Sequence, residues 1–212
     1  DTDPGWTTEG DWAYGQPTGG GGQYGNPDPT SGHTGDNVYG YNLGGDYPND
    51  LDESHLTTAV IDCSNLYNTN LKFWRWLGVE TPDYDHAYVR ASTDGASWVT
   101  VWENTEEITD SAWTQIGVDI SSVADDQETV YLRWTMGITD GGWQYCGWNI
   151  DDIELWGISG EGSDVAEPEL IRDVRLYPVR PNPFNPTANI AFSLPHHAEV
   201  ELAVYDVRGR LV

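Results

Sequence analysis

Residues 146–157, Cys-Gly-Trp-Asn-Ile-Asp-Asp-Ile-Glu-Leu-Trp-Gly, limit what this chain can fold into more than any other stretch. Trp148, Ile150 and Trp156 share one parity, Ile153 and Leu155 take the other, and the phase changes at Asp151-Asp152. An apolar period of two is that of a β-strand, and a change of phase inside it predicts a bulge. Adjacent carboxylates among large apolar side chains must be solvated, hydrogen-bonded or neutralised. Two readings stand: a divalent cation shared by the pair, or a pair turned to solvent at the strand's edge.

The same period recurs along the chain and no segment sustains a 3.6-residue apolar repeat, so the expected fold class is all-β. The 24 glycines and 12 prolines supply turns for many short strands. Strands are expected near 6–14, 37–42, 56–62, 71–79, 84–93, 113–120 and 129–136, with a return strand opening at Trp98. Residues 71–79 carry large side chains on both parities, as in a central strand covered on both faces. Ser92-Thr93-Asp94-Gly95 reads as a hairpin turn, and residues 121–127 as a polar turn with at most one helical turn. About nine strands at this spacing predict an antiparallel two-sheet sandwich.

Net charge is −26, from 35 acids against nine Lys and Arg. A field of that sign excludes nucleic acid and anionic membrane surfaces as partners. It also strains the compact state by self-repulsion, which bound calcium would relieve; solubility outside the cell is the plainer explanation. The loop 44–54 gathers Asp46, Asn49, Asp50, Asp52 and Glu53, oxygen donors suited to calcium but not in EF-hand order. Gly20, Gly22 and Gly25 satisfy a dinucleotide-binding spacing by chance, with no strand before and no helix after. Cys63 and Cys146 either form one disulfide or remain buried thiols, and without a CxxC pair a zinc site is not expected.

The pattern Asp46-Tyr47 with Asn49, Glu80, Asp85-His86-Ala87-Tyr88-Val89, Ser92-Thr93-Asp94-Gly95 with Trp98, and Gly147-Trp148-Asn149-Ile150-Asp151-Asp152 resembles a MAM-like jelly roll. Similar modules stand beside immune-inhibitor-A-type metallopeptidases and in gingipain-type cleaved adhesins. The resemblance spans roughly residues 5–158 and implies a non-catalytic, calcium-stabilised β-sandwich.

Residues 158–170 lack aromatics and are rich in Gly, Ser and acids, as a linker is. Beyond it, Pro181-Asn182-Pro183-Phe184-Asn185-Pro186-Thr187 leads into expected strands at 189–194 and 199–206. This segment resembles the start of an Ig-like C-terminal sorting domain of the type IX secretion kind. The expected organisation is therefore a jelly roll over 1–157, a linker over 158–170 and an incomplete Ig-like sandwich over 171–212. About 40 residues make roughly three of the seven strands such a sandwich needs. Three completions stand: a longer chain, packing on the first module, or strands from another copy, which would build a head-to-tail filament.

No HExxH, GxSxG, P-loop or paired CxxC motif is present, and the five histidines are scattered. Catalysis is not expected. Trp12, Tyr14, Tyr24, Tyr39, Tyr41 and Trp143 sit in or beside loops and are candidates for stacking on sugars, with Trp12, Tyr14 and Trp143 foremost. Ser111, in Asp110-Ser111-Ala112, fits a short bacterial O-glycosylation pattern. The sequence thus predicts a secreted, cell-surface bacterial protein with calcium held by Asp46, Asp50, Glu80, Asp85, Asp151 and Asp152. Its partners are expected to be other copies of itself or surface and matrix glycans, with no membrane insertion. Two roles follow, adhesion or extracellular assembly on the one hand and a carbohydrate-binding accessory module of a secreted hydrolase on the other.

Overall fold

The structure is a computed structural model that describes residues 2–159, with 175–176, 192–193, 203, 208 and 210. It divides into two units, Asp1–Glu161 and Gly162–Val212. The first is an antiparallel jelly-roll β-sandwich. Its strands are β1 (Thr7–Thr8), β2 (Trp12–Gly15), β3 (Val38–Tyr41), β4 (Ser54–Thr57), β5 (Leu66–Val79) and β6 (Ala87–Ser92). Then follow β7 (Val99–Glu103), β8 (Ile108–Thr109), β9 (Thr114–Asp119), the single helical turn α1 (Ser121–Ala124), β10 (Tyr131–Met136) and β11 (Gly147–Ser159).

One sheet has the order β1-β4-β10-β6-β7 and the other β2-β3-β11-β5-β8, with β9 also paired to β5. The long strands β5 and β11 run antiparallel from Gly147 opposite Gly78 to Ser159 opposite Leu66. The expected bulge is there: the register slips between Asp151 and Glu154, and Asp152 takes a φ of 45°. A second slip follows between Trp156 and Ile158, where Asn68 on β5 has a φ of 53°.

Alternation on β5 explains why it sits in the middle. Leu71, Phe73, Leu77 and Val79, with Trp148 of the same sheet, are buried in one core with Trp134, Leu132 and Leu56 of the other sheet. Lys72, Trp74 and Trp76 point the other way, where the 16–37 loop covers two of them. The His33 ring stacks on Trp74 at 3.7 Å, and Trp76 Nε1–H donates to Pro27 O at 3.0 Å. Burying an indole on this scale contributes about 2–3 kcal/mol, which is why a loop of low intrinsic order lies flat here.

The Ser92 hairpin differs in detail from its sequence reading. Ser92 Oγ accepts from the N–H groups of Asp94 and Gly95, and Asp94 Oδ1 from those of Ala96 and Ser97. The turn is longer than an Asp-Gly dipeptide, and Trp98 lies outside β7, under the Arg133 guanidinium at 3.8 Å.

Of the two readings open for the cysteines, the disulfide is not formed: Cys63 and Cys146 are both buried free thiols. Cys63 O accepts from Leu66 N–H at the start of β5, while a Cβ on Gly78, at its far end, would touch Cys146 Sγ. Twelve residues of strand span roughly 40 Å at ~3.3 Å each, far beyond the ~6 Å a disulfide allows between Cα atoms.

In the second unit, Arg175–Leu176 pairs antiparallel with Phe192–Ser193. The Pro181–Thr187 run and the strand expected at 199–206 lie, apart from Ala203, outside the described residues, as does most of the linker. β11 runs through Ser159, two residues into the segment read as linker.

Candidate functional site

The register of the long strands gathers the loops of interest at one end of the sandwich. Gly78 faces Gly147 there, and Met136 faces Ala87. The segments 80–86 and 137–146 therefore lie side by side. Glu80, Asp85 and Asp140 meet in that corner, with one carboxylate oxygen from each within 4.8 Å of the others. Asp85 is fully buried and Glu80 nearly so.

Hydrogen bonds fix the corner. Asp140 N–H donates to Asp85 Oδ1 at 2.9 Å, and Tyr47 Oη–H donates to Asp85 Oδ2. Buried Asn104 ties the loop from behind. Its Nδ2 donates to Glu80 O and Asp85 O at 3.1 and 3.0 Å, and its Oδ1 accepts from Ala87 N–H at 2.9 Å. Burial, then the charges of Asp85, Asp140 and Glu107, push the Glu80 carboxyl up. Burial also pushes Asp85 up against the opposing bonds from Tyr47 and Asp140. None of the ion pairs among the described residues reaches these three acids. Three hard oxygen donors that no ion pair among the described residues reaches could coordinate a metal ion.

Of the predicted ligands, the structure brings Glu80 and Asp85 together and adds Asp140, which the sequence presents only as part of a turn. Asp50 is adjacent through its backbone, its N–H donating to Asp140 O at 2.8 Å, but its side chain stays exposed. Asp46 is elsewhere: its carboxylate accepts from Gly22 N–H and Gln23 N–H at 2.6 and 3.0 Å, pinning the glycine loop. Asp151 and Asp152 hold a different segment. Asp151 Oδ2 accepts from Thr34 N–H at 3.0 Å, and Asp152 bonds Thr34 Oγ1 at 2.6 Å and His33 Nδ1 at 2.7 Å. Their neutralising partner in the structure is the loop over the outer face.

The aromatic candidates separate equally clearly. Trp143 is 50% exposed and lies flat on Tyr24, centroids 4.8 Å apart and planes at 11°. Tyr24 leans on Tyr145 at 6.1 Å, Tyr145 on Tyr47 at 6.4 Å, and the Tyr47 hydroxyl ends on Asp85. A ladder of rings thus joins the surface indole to the acid corner, and the loop carrying Asp140 also carries Trp143. Trp12 is a correction: it is 3% exposed, its Nε1–H bonded to Ser54 O at 3.1 Å and its ring edge-on to Tyr41. Tyr39 and Tyr41 are likewise buried. Tyr14 is half-buried against Tyr39 and lines a cleft of about 260 Å³ with Trp6, Asp151 and Asp152. Ser111 is exposed beside Asp110, whose carboxylate clasps Arg75 at 2.8 and 3.0 Å.

Fold and surface define an all-β jelly-roll module with an aromatic platform and an acid corner in its end loops. No family model matches the chain. Its sequence is similar to part of bacillopeptidase F from Bacillus subtilis strain 168, 28% identical over 203 residues. That alignment covers 88% of this chain and 13% of the peptidase. The structure is similar to the K1 cleaved adhesin domain of Lys-gingipain from Porphyromonas gingivalis W83, with a TM-score of 0.46 and 15% identity over 72% of this chain and 90% of that domain. It is also similar to a C-terminal carbohydrate-binding module of the marine laminarinase LamC from Zobellia galactanivorans, with a TM-score of 0.41 and 13% identity over 71% and 92%.

Proposed function

We propose that this chain is a non-catalytic accessory module of a longer secreted bacterial protein, and that it binds glycans on the Trp143–Tyr24 platform. The carrying observation is an indole held flat on a second ring with half its surface in water. Such a ring offers its open face to the C–H face of a sugar, at little entropic cost because its rotamer is already fixed. Calcium at Glu80, Asp85 and Asp140 completes the reading. It neutralises a buried corner that no ion pair among the described residues reaches and orders the loop on which Trp143 stands.

Likeness to a stretch of a peptidase supports a place within a larger chain, outside or on the cell. The MAM-like kinship rests on the Gly147–Asp152 and Asp85–Val89 runs. The division into a jelly roll over 1–157, a linker over 158–170 and the start of an Ig-like sorting module over 171–212 rests on composition and on the Pro181–Thr187 run. Head-to-tail assembly depends on that last segment, and nothing on the described surface favours it over glycan binding.

The test is a polysaccharide array probed with the whole chain, followed by calorimetry on the best oligosaccharide. Binding that is lost in Trp143→Ala and retained in a variant at Trp156, similarly exposed but toward the far end of β11, supports the reading. An array on which the wild type binds nothing, or binding indifferent to Trp143, overturns it.

A further inference from the structure

In a chain with 35 acids against nine Lys and Arg, two arginines stand directly opposite each other. Arg133 of β10 and Arg90 of β6 are register partners. Their chain neighbours Leu132, Trp134, Val89 and Ala91 are in the core, so both arginines point outward from the sheet β1-β4-β10-β6-β7. Like charges facing each other across a ladder destabilise a sheet unless an anion offsets them.

Arg90 has its anion. Glu53 accepts from both of its terminal nitrogens, at 2.6 and 2.7 Å, and the Tyr88 ring lies 4.3 Å from the guanidinium carbon. Arg133 is oriented without being neutralised. Its Nε–H donates to Thr57 Oγ1 at 3.0 Å, and its guanidinium lies over the Trp98 ring at 3.8 Å. Among the described residues no hydrogen bond uses Nη1 or Nη2, and none of the ion pairs includes Arg133. Burial lowers its pKa, Glu9 opposes from beyond ion-pair distance, and Arg90 adds to the lowering. A guanidinium nonetheless stays charged, and with its plane already fixed the free fork can donate two parallel bonds to a carboxylate.

We propose that Arg133, stacked on Trp98 and flanked by Arg90, binds the carboxylate of an acidic sugar. The net charge of −26 repels a polyanion along its whole length. A lone acid in an otherwise neutral glycan meets the two guanidinium groups at short range, while acids farther than about 8 Å are screened at physiological salt. A peptide is the poorer fit: β10 is paired on both sides, with β4 and β6, and offers no edge for an added strand. The sheet face is separate from the Trp143 platform and from the acid corner, so either reading can fail alone.

His55 reports on the site. Its Nδ1 is hydrogen-bonded to Thr135 Oγ1 at 3.0 Å. Burial first, then Arg133, holds its pKa below the usual value; Arg90 acts in the same direction, and Glu9 and Glu53 oppose. A carboxylate on Arg133 offsets that positive field and raises the His55 pKa.

NMR titration of the whole chain, following the His55 ring protons, tests the site with galacturonic acid and N-acetylneuraminic acid, each against its methyl ester. At least one acid should bind and raise the His55 pKa while its ester does neither. Arg133→Lys keeps the charge but loses the fork and the stack, and should weaken binding at least about tenfold. Glu9 is exposed, so Glu9→Gln removes a competing charge without touching the core and should tighten binding about twofold. Esters that bind as well as the acids, no binding of either acid, or unchanged affinity in Arg133→Lys overturns the proposal. So does weaker binding in Glu9→Gln, or N-acetylalanine binding more tightly than both sugar acids, which would make the face a receptor for peptide C-termini.

Discussion

Asn104 carries the most consequential structural prediction, because one buried amide positions both acids of the corner. It is 3% exposed and makes three hydrogen bonds: to Glu80 O, to Asp85 O and from Ala87 N–H. In Asn104→Ala two carbonyls and one N–H lose their partner at once. Each bond contributes about 1 kcal/mol net, and each group left dry costs about 1–3 kcal/mol. Water entering the small cavity would recover part of this, so the expected loss is about 3–5 kcal/mol. For a unit of this size that is a fall of roughly 10 °C in Tm.

Urea unfolding followed by tryptophan fluorescence measures the effect, with Asn104→Asp as a second arm. Aspartate keeps the acceptor for Ala87 N–H but loses both donors and adds a fourth negative charge. It should be no more stable than the alanine variant without calcium, and calcium should recover more of it. A loss below about 1 kcal/mol in Asn104→Ala, or an Asn104→Asp protein as stable as wild type in EDTA, would refute the role given to these bonds.

Three further outcomes are expected. Trp12→Ala should cost about 3–5 kcal/mol of stability as a core indole, and Trp143→Ala about 2 kcal/mol, since half of that ring is already in water; chemical denaturation of both checks the order. Both thiols should resist a thiol reagent until urea unfolds the chain and then titrate as two, and reductant should leave Tm unchanged, because both are buried, reduced and pushed up by burial. On the acid side, Asp94 is held far below the usual carboxylate range by the N–H groups of Ser97 and Ala96, and Asp125 is lowered mainly by Thr69. Their contribution is present above the unfolded value near pH 4 and lost as pH falls through the lower folded values, so Asp94→Asn and Asp125→Asn should flatten the acid limb of a stability–pH curve.

The fold was largely legible because period-two burial is a local property. The bulge at Asp151-Asp152, the inward parity of Trp148 and Ile150 and the two-sided cover of β5 could all be read from neighbours in sequence. The site was legible only where sequence neighbours stay neighbours in space. Glu80 and Asp85 flank one short loop and meet, whereas Asp140 arrives from another connection through the pairing of β10 with β6, which no local pattern states. Among 35 acids, a compositional argument cannot tell a ligand from a loop staple such as Asp46 or a latch such as Asp152. Trp12 misled for a related reason: its loop-flanked strand is short, and only pairing with β3 shows that its face is inward.

The ring ladder makes one consequence testable without knowing the sugar in advance. Trp143, Tyr24, Tyr145 and Tyr47 form an unbroken series of contacts ending on Asp85, and only Gly141 and Gly142 separate Asp140 from Trp143. If calcium in the corner and glycan on the platform favour the same arrangement of that loop, each must tighten the other by the same factor. Coupling through one ordered loop is typically about 1–3 kcal/mol, or roughly 5- to 150-fold. Calorimetry of the array's best oligosaccharide with calcium and with EDTA gives one side of the cycle, and calcium titration with and without that oligosaccharide gives the other. Asp140→Asn should abolish the coupling and leave the weaker, calcium-free sugar affinity in place. Equal sugar affinities with calcium and EDTA would mean that the platform is rigid without the ion, held by Tyr24 and Tyr145 alone, and that the acid corner serves the fold and not recognition.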